Sequence, residues 1–297
     1  MKTVRLLLLS VVAAILTSCG TTSTVPITGR KQNIIVSDEQ VLSLSNQEYQ
    51  QYMQTAKKST NTTNTAMVKR VGQNLAKAVV SFLNSNGMGA EVSQYQWEFN
   101  LVQDTQVNAF CLPGGKIVVF EGLLPVTQDE ASLAIVLGHE IAHAVAKHSA
   151  ERLSNAYKQE YGLQILGALA TGAGVSNEMV QLGQLVASTG GQFFTAGFSR
   201  KQESEADHMG LIFAAMAGYD PQVAVTFWQR MSQATGGGSS SLLSDHPSDA
   251  DRISNLQGWM SEALQYYKPT TTTTTTTPAT TTTSTMRISS KKATKKK

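Results

Sequence analysis

Apolar residues spaced three and four apart mark most of this chain as helical. From Ala66 to Leu83, Val68, Val71, Leu75, Val79 and Phe82 share one face of an amphipathic helix that Asn86-Gly87 closes. A more polar helix is expected from Asp38 to about Lys58, after a Pro26–Arg30 turn and the brief apolar stretch Ile34-Ile35-Val36. The period then drops to two. Tyr95, Trp97, Phe99 and Leu101 alternate with Gln96, Glu98, Asn100 and Val102, the pattern of a half-buried strand. Val107 to Phe110 and Ile117 to Phe120 read as two further short strands around the turn Cys111–Lys116. Helical spacing returns near Gln128 and runs past His148, with Thr127 and Glu130 forming a capping box. It recurs over Ser199–Ala217 before Gly218, from Asp220-Pro221 to about Met231, and from Ser248 to about Tyr266. The expected class is α+β, mostly helical, with a small β-sheet immediately before the helix of 128–148.

The segments without periodicity set the domain limits. Thr21 to Thr24 reads as a short polar tether, and Gly236 to Ser241 as a flexible loop. A Gly- and Ala-rich stretch, Leu163 to Val175, leads to an apolar helix over Met179–Val186 that is too short to span a bilayer, so core packing is its default. After Pro269 come eight threonines, Pro278, more threonines and a lysine cluster, a composition with too little apolar surface to fold. Those terminal lysines carry the formal charge of +3 and leave the remainder slightly acidic, so the basic balance implies no nucleic-acid partner. At the other end, Lys2 and Arg5 precede the apolar run Leu6–Leu16, a secretory signal pattern. Leu16-Thr17-Ser18-Cys19 resembles the bacterial lipobox, in which the cysteine is lipidated, and Gly20 after it implies outer-membrane retention. The organisation expected is a lipoprotein signal peptide over 1–18, a lipidated Cys19 and tether over 19–25, one globular domain over 26–268 and a disordered tail over 269–297. Cys111, the other cysteine, is then expected to be a buried, inert thiol.

The candidate chemistry lies on the helix of 128–148. His139 and His143 are one turn apart on one face, with Glu140 about 100° around the axis, in the H-E-x-x-H arrangement of zinc hydrolases. They interrupt an otherwise apolar helix, where two imidazoles and a carboxylate are costly unless a partner compensates. Zinc in a catalytic site takes three protein ligands. His148 follows His143 by five residues, one short of the metzincin spacing, and Ala146 stands where that pattern has glycine. The better third ligand is Glu203 in Glu203-Ser204-Glu205-Ala206-Asp207. Glu203 and Asp207 share a helix face, so Glu203 can coordinate zinc while Asp207 accepts an N–H from a ligand histidine, and Glu205 points elsewhere.

His139-Glu140-Ile141-Ala142-His143, Glu203-Ser204-Glu205-Ala206-Asp207, the upstream Asn108–Gly115 segment and the downstream His246-Pro247 together resemble the gluzincin endopeptidases related to HtpX and the CAAX prenyl protease, in their soluble periplasmic lipoprotein branch. The likeness covers roughly Pro26 to Tyr266, and Cys111 departs from it where the family has alanine. It implies a zincin-like core, one Zn2+ per chain on His139, His143 and Glu203, and Glu140 as the general base of peptide hydrolysis. It implies that His246 lies near the zinc, either stabilising the oxyanion or occupying the open coordination position as a regulatory ligand. The substrates implied are misfolded or stalled envelope proteins, with the outer-membrane assembly machinery as a further partner and the membrane reached through Cys19. A non-catalytic zinc lipoprotein acting as chaperone or assembly factor is the rival reading, and hydrolysis of a non-peptide amide is compatible with the ligands.

Overall fold

The computed structural model describes residues 21–171, 178–188, 193, 197–234 and 251–269. The expected signal peptide, Cys19, the Gly236–Ser241 loop, His246, the Ser248 helix start and the Thr- and Lys-rich tail lie outside the described residues.

Thr21–Thr24, expected as a tether, is strand β1, paired antiparallel with β2 (Lys31–Ile34) through the Pro26–Arg30 turn. Val25 at its end is buried in the main core, which gives the polar strand an anchor. Helix α1 (Asp38–Thr55) starts from a Ser37–Gln40 capping box, and α2 (Thr62–Ser85) from an Asn61 cap, both close to the expected spans. One turn of helix, α3 (Gly89–Val92), leads into the sheet.

The sheet consists of β3 (Glu98–Val102), β4 (Ala109–Leu112) and β5 (Lys116–Phe120), in the order β3-β5-β4. β5 lies in the middle, parallel to β3 and antiparallel to β4. The alternation begins at Tyr95, three residues before β3; there the Gln96 amide donates to the Gly114 carbonyl of the facing turn at 2.8 Å and Tyr95 stacks on Trp97 at 4.8 Å. β4 and β5 are buried on both faces, which is why they carry runs of apolar residues rather than an alternation. Phe99, Leu101, Ala109, Cys111, Ile117 and Val119 face one core with α2; Val102, Phe110, Leu112, Val118 and Phe120 face a second with α1. Cys111 is a free, buried thiol that burial and then the Glu140 carboxylate push well above its usual pKa.

After a 3-10 turn and the short helix α4 (Leu124–Thr127) comes the central helix α5 (Glu130–Val145). Thr127 is not its cap. Thr127 ends α4 and donates its hydroxyl to the Leu124 carbonyl, Gln128 turns the chain with φ 66°, and Asp129 accepts from the Ser132 amide instead. The helix also stops earlier than expected. Lys147 takes φ 55°, and a new helix, α6 (His148–Thr171), begins at His148. Lys147 is held in this strained conformation by Asp38, 2.9 Å from its Nζ, and Gln32 donates to the Ala146 carbonyl at 2.9 Å.

Helices α7 (Glu178–Ala187), α8 (Arg200–Met216), α9 (Val223–Ala234) and α10 (Arg252–Tyr266) complete the described fold. Among the described residues no helix is long and apolar enough to cross a membrane. α8 starts at Ser199 with a capping box and lies directly against α5. The crossing is at Gly138 and Gly210: a Cβ on Gly210 would lie 2.6 Å from the His139 amide nitrogen, and one on Gly138 would lie 2.6 Å from the Gly210 carbonyl oxygen. Glycine at both positions lets backbone meet backbone, which brings the acidic N-terminal half of α8 to the histidines of α5.

Candidate metal centre

Two packed helices build the site. α5 presents His139 and His143 and α8 presents Glu203, and all three are buried. His139 Nε2 and His143 Nε2 are 3.1 Å apart; Glu203 lies 3.4 Å from the first through Oε2 and 3.5 Å from the second through Oε1. Nitrogen and oxygen donors about 2.0–2.1 Å from a common tetrahedral centre are separated by roughly 3.3 Å. The two imidazole nitrogens and the Glu203 carboxylate, which turns one oxygen to each nitrogen, are therefore close enough together to surround one metal ion, and they form the His-His-Glu cluster found among the described residues. The donor set, two imidazoles and a carboxylate, suits a divalent cation.

The electrostatics fit the same ion. Burial alone would lower the His139 pKa, but hydrogen bonds to Asp207 and Glu203 and their charges outweigh it and raise it to about 10. Asp207 acts at Nδ1 and Glu203 at Nε2, and the negative charge these two carboxylates bring to the buried ring would equally favour a divalent cation beside Nε2.

The clustered side chains are held from behind. Asp207 Oδ1 lies 2.9 Å from His139 Nδ1, the partner anticipated for it, which leaves Nε2 toward the site. Arg252 of α10 donates through Nε to Asp207 Oδ2 at 2.6 Å and through Nη2 to Glu203 Oε2 at 3.2 Å. Burial would raise the Asp207 pKa, but Arg252 and then His139 keep its carboxyl below the usual range. Arg252 is itself buried and lies 4.0 Å over the Trp228 ring of α9. Phe198, just before α8, stacks on the His143 ring at 4.1 Å. Glu140, the residue after His139, is buried beside them.

Sequence spacing did not reveal three parts of this assembly. His148, set aside as a ligand, has Nδ1 at 2.9 Å from His143 Nδ1 and Nε2 at 3.0 Å from Glu205 Oε2. Glu205 points away from the three ligands, as expected, and instead meets Thr28 and Arg30 of the β1–β2 turn. Arg252 had no sequence signal beyond its place at the start of the last helix. His246 lies outside the described residues.

The sequence profile of peptidase family M48 matches residues 63–260. The chain is 39% identical over 177 residues to the mitochondrial metalloendopeptidase OMA1 of Schizosaccharomyces pombe, covering 58% of this chain and 49% of that protein. It is 28% identical over 226 residues to the metalloprotease LoiP of Escherichia coli K12, covering 76% and 82%. With the beta-barrel assembly-enhancing protease of Yersinia pestis it shares 31% identity over 170 residues, 54% of this chain and 34% of that protein. The chain spans 34 to 49% of the length of the first three curated relatives it matches. His139, Glu140, His143, Glu203 and Asp207 all fall within the matched segment, whereas Thr28 and Arg30 precede it.

Proposed function

Since the chain belongs to peptidase family M48, we propose that it is a zinc-dependent endopeptidase that hydrolyses peptide bonds of misfolded or stalled cell-envelope proteins. The observation that carries this reading is the convergence of the His139 and His143 Nε2 atoms, 3.1 Å apart, on the Glu203 carboxylate, with Glu140 buried one residue from His139. His139, His143 and Glu203 would hold one zinc ion per chain. When bound, zinc supplies a Lewis acid that makes a water nucleophilic at neutral pH and polarises a carbonyl. Glu140 is the chain's own acid–base group: it takes the proton from the attacking water and returns it to the departing amine. Asp207 and Arg252 keep His139 and Glu203 in position while this happens.

The envelope assignment rests on the signal pattern of Lys2, Arg5 and Leu6–Leu16 and on the lipobox-like Leu16-Thr17-Ser18-Cys19. The proposed location is the bacterial cell envelope, with the protein lipid-anchored through Cys19 to the outer membrane and facing the periplasm. The name of the Yersinia pestis relative, a beta-barrel assembly-enhancing protease, supports substrates met during β-barrel assembly. Cys19→Ala should move the protein from the membrane fraction to the periplasmic extract, and a variant still sedimenting with membranes would refute the anchor. The rival, a non-catalytic zinc chaperone, has no use for a carboxylate at position 140. Incubation of the zinc-loaded protein with unfolded casein separates the two readings: cleavage that stops with a chelator and resumes with added zinc is expected. Intact casein under all conditions would refute the peptidase.

A further inference from the structure

We propose that Glu205 and His148 form a positioning relay for His143, and that the β1–β2 turn completes it, so that a segment preceding the family-matched residues is part of the metal centre. The proposal rests on the reading of His139, His143 and Glu203 as the metal site.

The hydrogen-bond roles along the relay follow from one another. A histidine that binds metal through Nε2 must carry its proton on Nδ1. His143 presents Nε2 to the Glu203 cluster, so its Nδ1–H donates across 2.9 Å to His148 Nδ1. His148 must then be bare at Nδ1 and protonated at Nε2, and Nε2–H donates to Glu205 Oε2 at 3.0 Å. Glu205 accepts as an ionised carboxylate, and its position is fixed from the far side: the Thr28 hydroxyl donates to Oε1 and Arg30 Nε to Oε2 at 2.7 Å. Arg30 is fixed in turn, because its Nη1 and Nη2 donate to the two oxygens of Glu151 on α6 at 2.8 and 2.9 Å. His148 is fully buried and Glu205 nearly so, and burying this much polarity for packing alone would be unfavourable.

The two ligand histidines are thus supported in different ways. His139 donates to a carboxylate directly, whereas His143 reaches one through a second imidazole. Phe198 stacks on the face of His143, so ring tilt is limited by stacking and ring rotation by the relay. Thr28 and Arg30 sit in the turn of a hairpin that begins at Thr21, two residues beyond Cys19. The segment joining the expected membrane anchor to the catalytic domain therefore also bears on a metal ligand.

The test uses Glu205→Gln, His148→Ala and the double variant in the full chain. Zinc Kd is measured by competition with a chromophoric chelator, and each protein is also labelled with nitrogen-15 histidine. Removing an outer partner of a ligand histidine costs about 10–100-fold in metal affinity. Each single variant is expected to raise the zinc Kd by about that factor, and the double variant by no more than the larger single effect, because Glu205 acts through His148. The spectroscopic signature is more specific. In the zinc-loaded parent, hydrogen-bonded N–H protons should appear on Nδ1 of His139 and His143 and on Nε2 of His148. Glu205→Gln should shift those of His148 and His143 and leave that of His139 in place. Glu205→Gln with the parent's zinc Kd and an unshifted His143 N–H would overturn the relay. So would single effects that multiply in the double variant. A parent that binds no zinc would overturn the metal site itself, which is a separate failure.

Discussion

Substituting Gly210 by alanine should disable the metal centre from a distance. The new Cβ would lie 2.6 Å from the His139 amide nitrogen and 2.8 Å from both the Gly138 carbonyl carbon and the His139 Cα, all of them backbone atoms that cannot rotate away. Carbon contacts are comfortable only near 3.5–4.0 Å, so α8 must move off α5 by roughly 0.7–1 Å at the crossing. Glu203 is seven residues, or two helical turns and about 10 Å, from Gly210 on the same helix, and most of that shift reaches its carboxylate. Coordination distances tolerate about 0.2 Å, so the third ligand would be misplaced by several times the tolerance. The fold should survive: overpacking costs about 1–3 kcal/mol, and alanine recovers roughly 1 kcal/mol of helix propensity. We therefore expect Gly210→Ala to raise the zinc Kd by about 10–100-fold with a near-parental circular dichroism spectrum. Glu203→Ala, which deletes the ligand, marks the lower limit of affinity. Gly258→Ala, in α10 with open space around its Cβ position, is the neutral control. The assay is competition between protein and chelator for zinc. Parental affinity in Gly210→Ala would show that the glycine crossing does not set the ligand spacing.

Two further outcomes concern protons and the open coordination position. Burial would raise the Glu205 pKa, but His148, Thr28 and Arg30 depress it from 4.5 to about 2, so its stabilisation is fully present above about pH 4.5 and is lost as pH falls toward 2. The melting temperature of metal-free Glu205→Gln should fall below the parent's above pH 5, by the equivalent of about 2 to 3 kcal/mol, and the gap should narrow by pH 3. A gap independent of pH would contradict the charged pairing. Under the regulatory reading of His246, His246→Ala keeps its zinc and cleaves casein faster than the parent; slower cleavage assigns His246 to oxyanion stabilisation instead.

The residues that cluster at the site were legible because each is tied to a helical period. His139 and His143 are one turn apart, and Glu203 and Asp207 repeat the same interval on a second helix, so spacing alone defined both faces. What spacing could not carry is the contact between distant segments. Gly138 and Gly210 look unremarkable until their backbones meet. Thr21–Thr24 read as a tether because its polar residues show no periodicity, and its strand character comes from pairing with Lys31–Ile34. Helix ends were misplaced where backbone conformation overrode local signals: Gln128 and Lys147 take positive φ without being glycine, which shortened the helix of His139 at both ends. The second break places His148 at the start of a new helix, and from there it turns back to His143.

The central claim is that Glu140 does the chemistry while His139, His143 and Glu203 hold the metal. It is tested most directly by measuring zinc content and casein cleavage on one preparation of Glu140→Gln beside the parent. The substitution is nearly isosteric and removes none of the three ligands, so one zinc per chain should remain while cleavage falls by at least about 100-fold, the contribution of a general base. Cleavage at the parental rate with zinc bound would contradict the account.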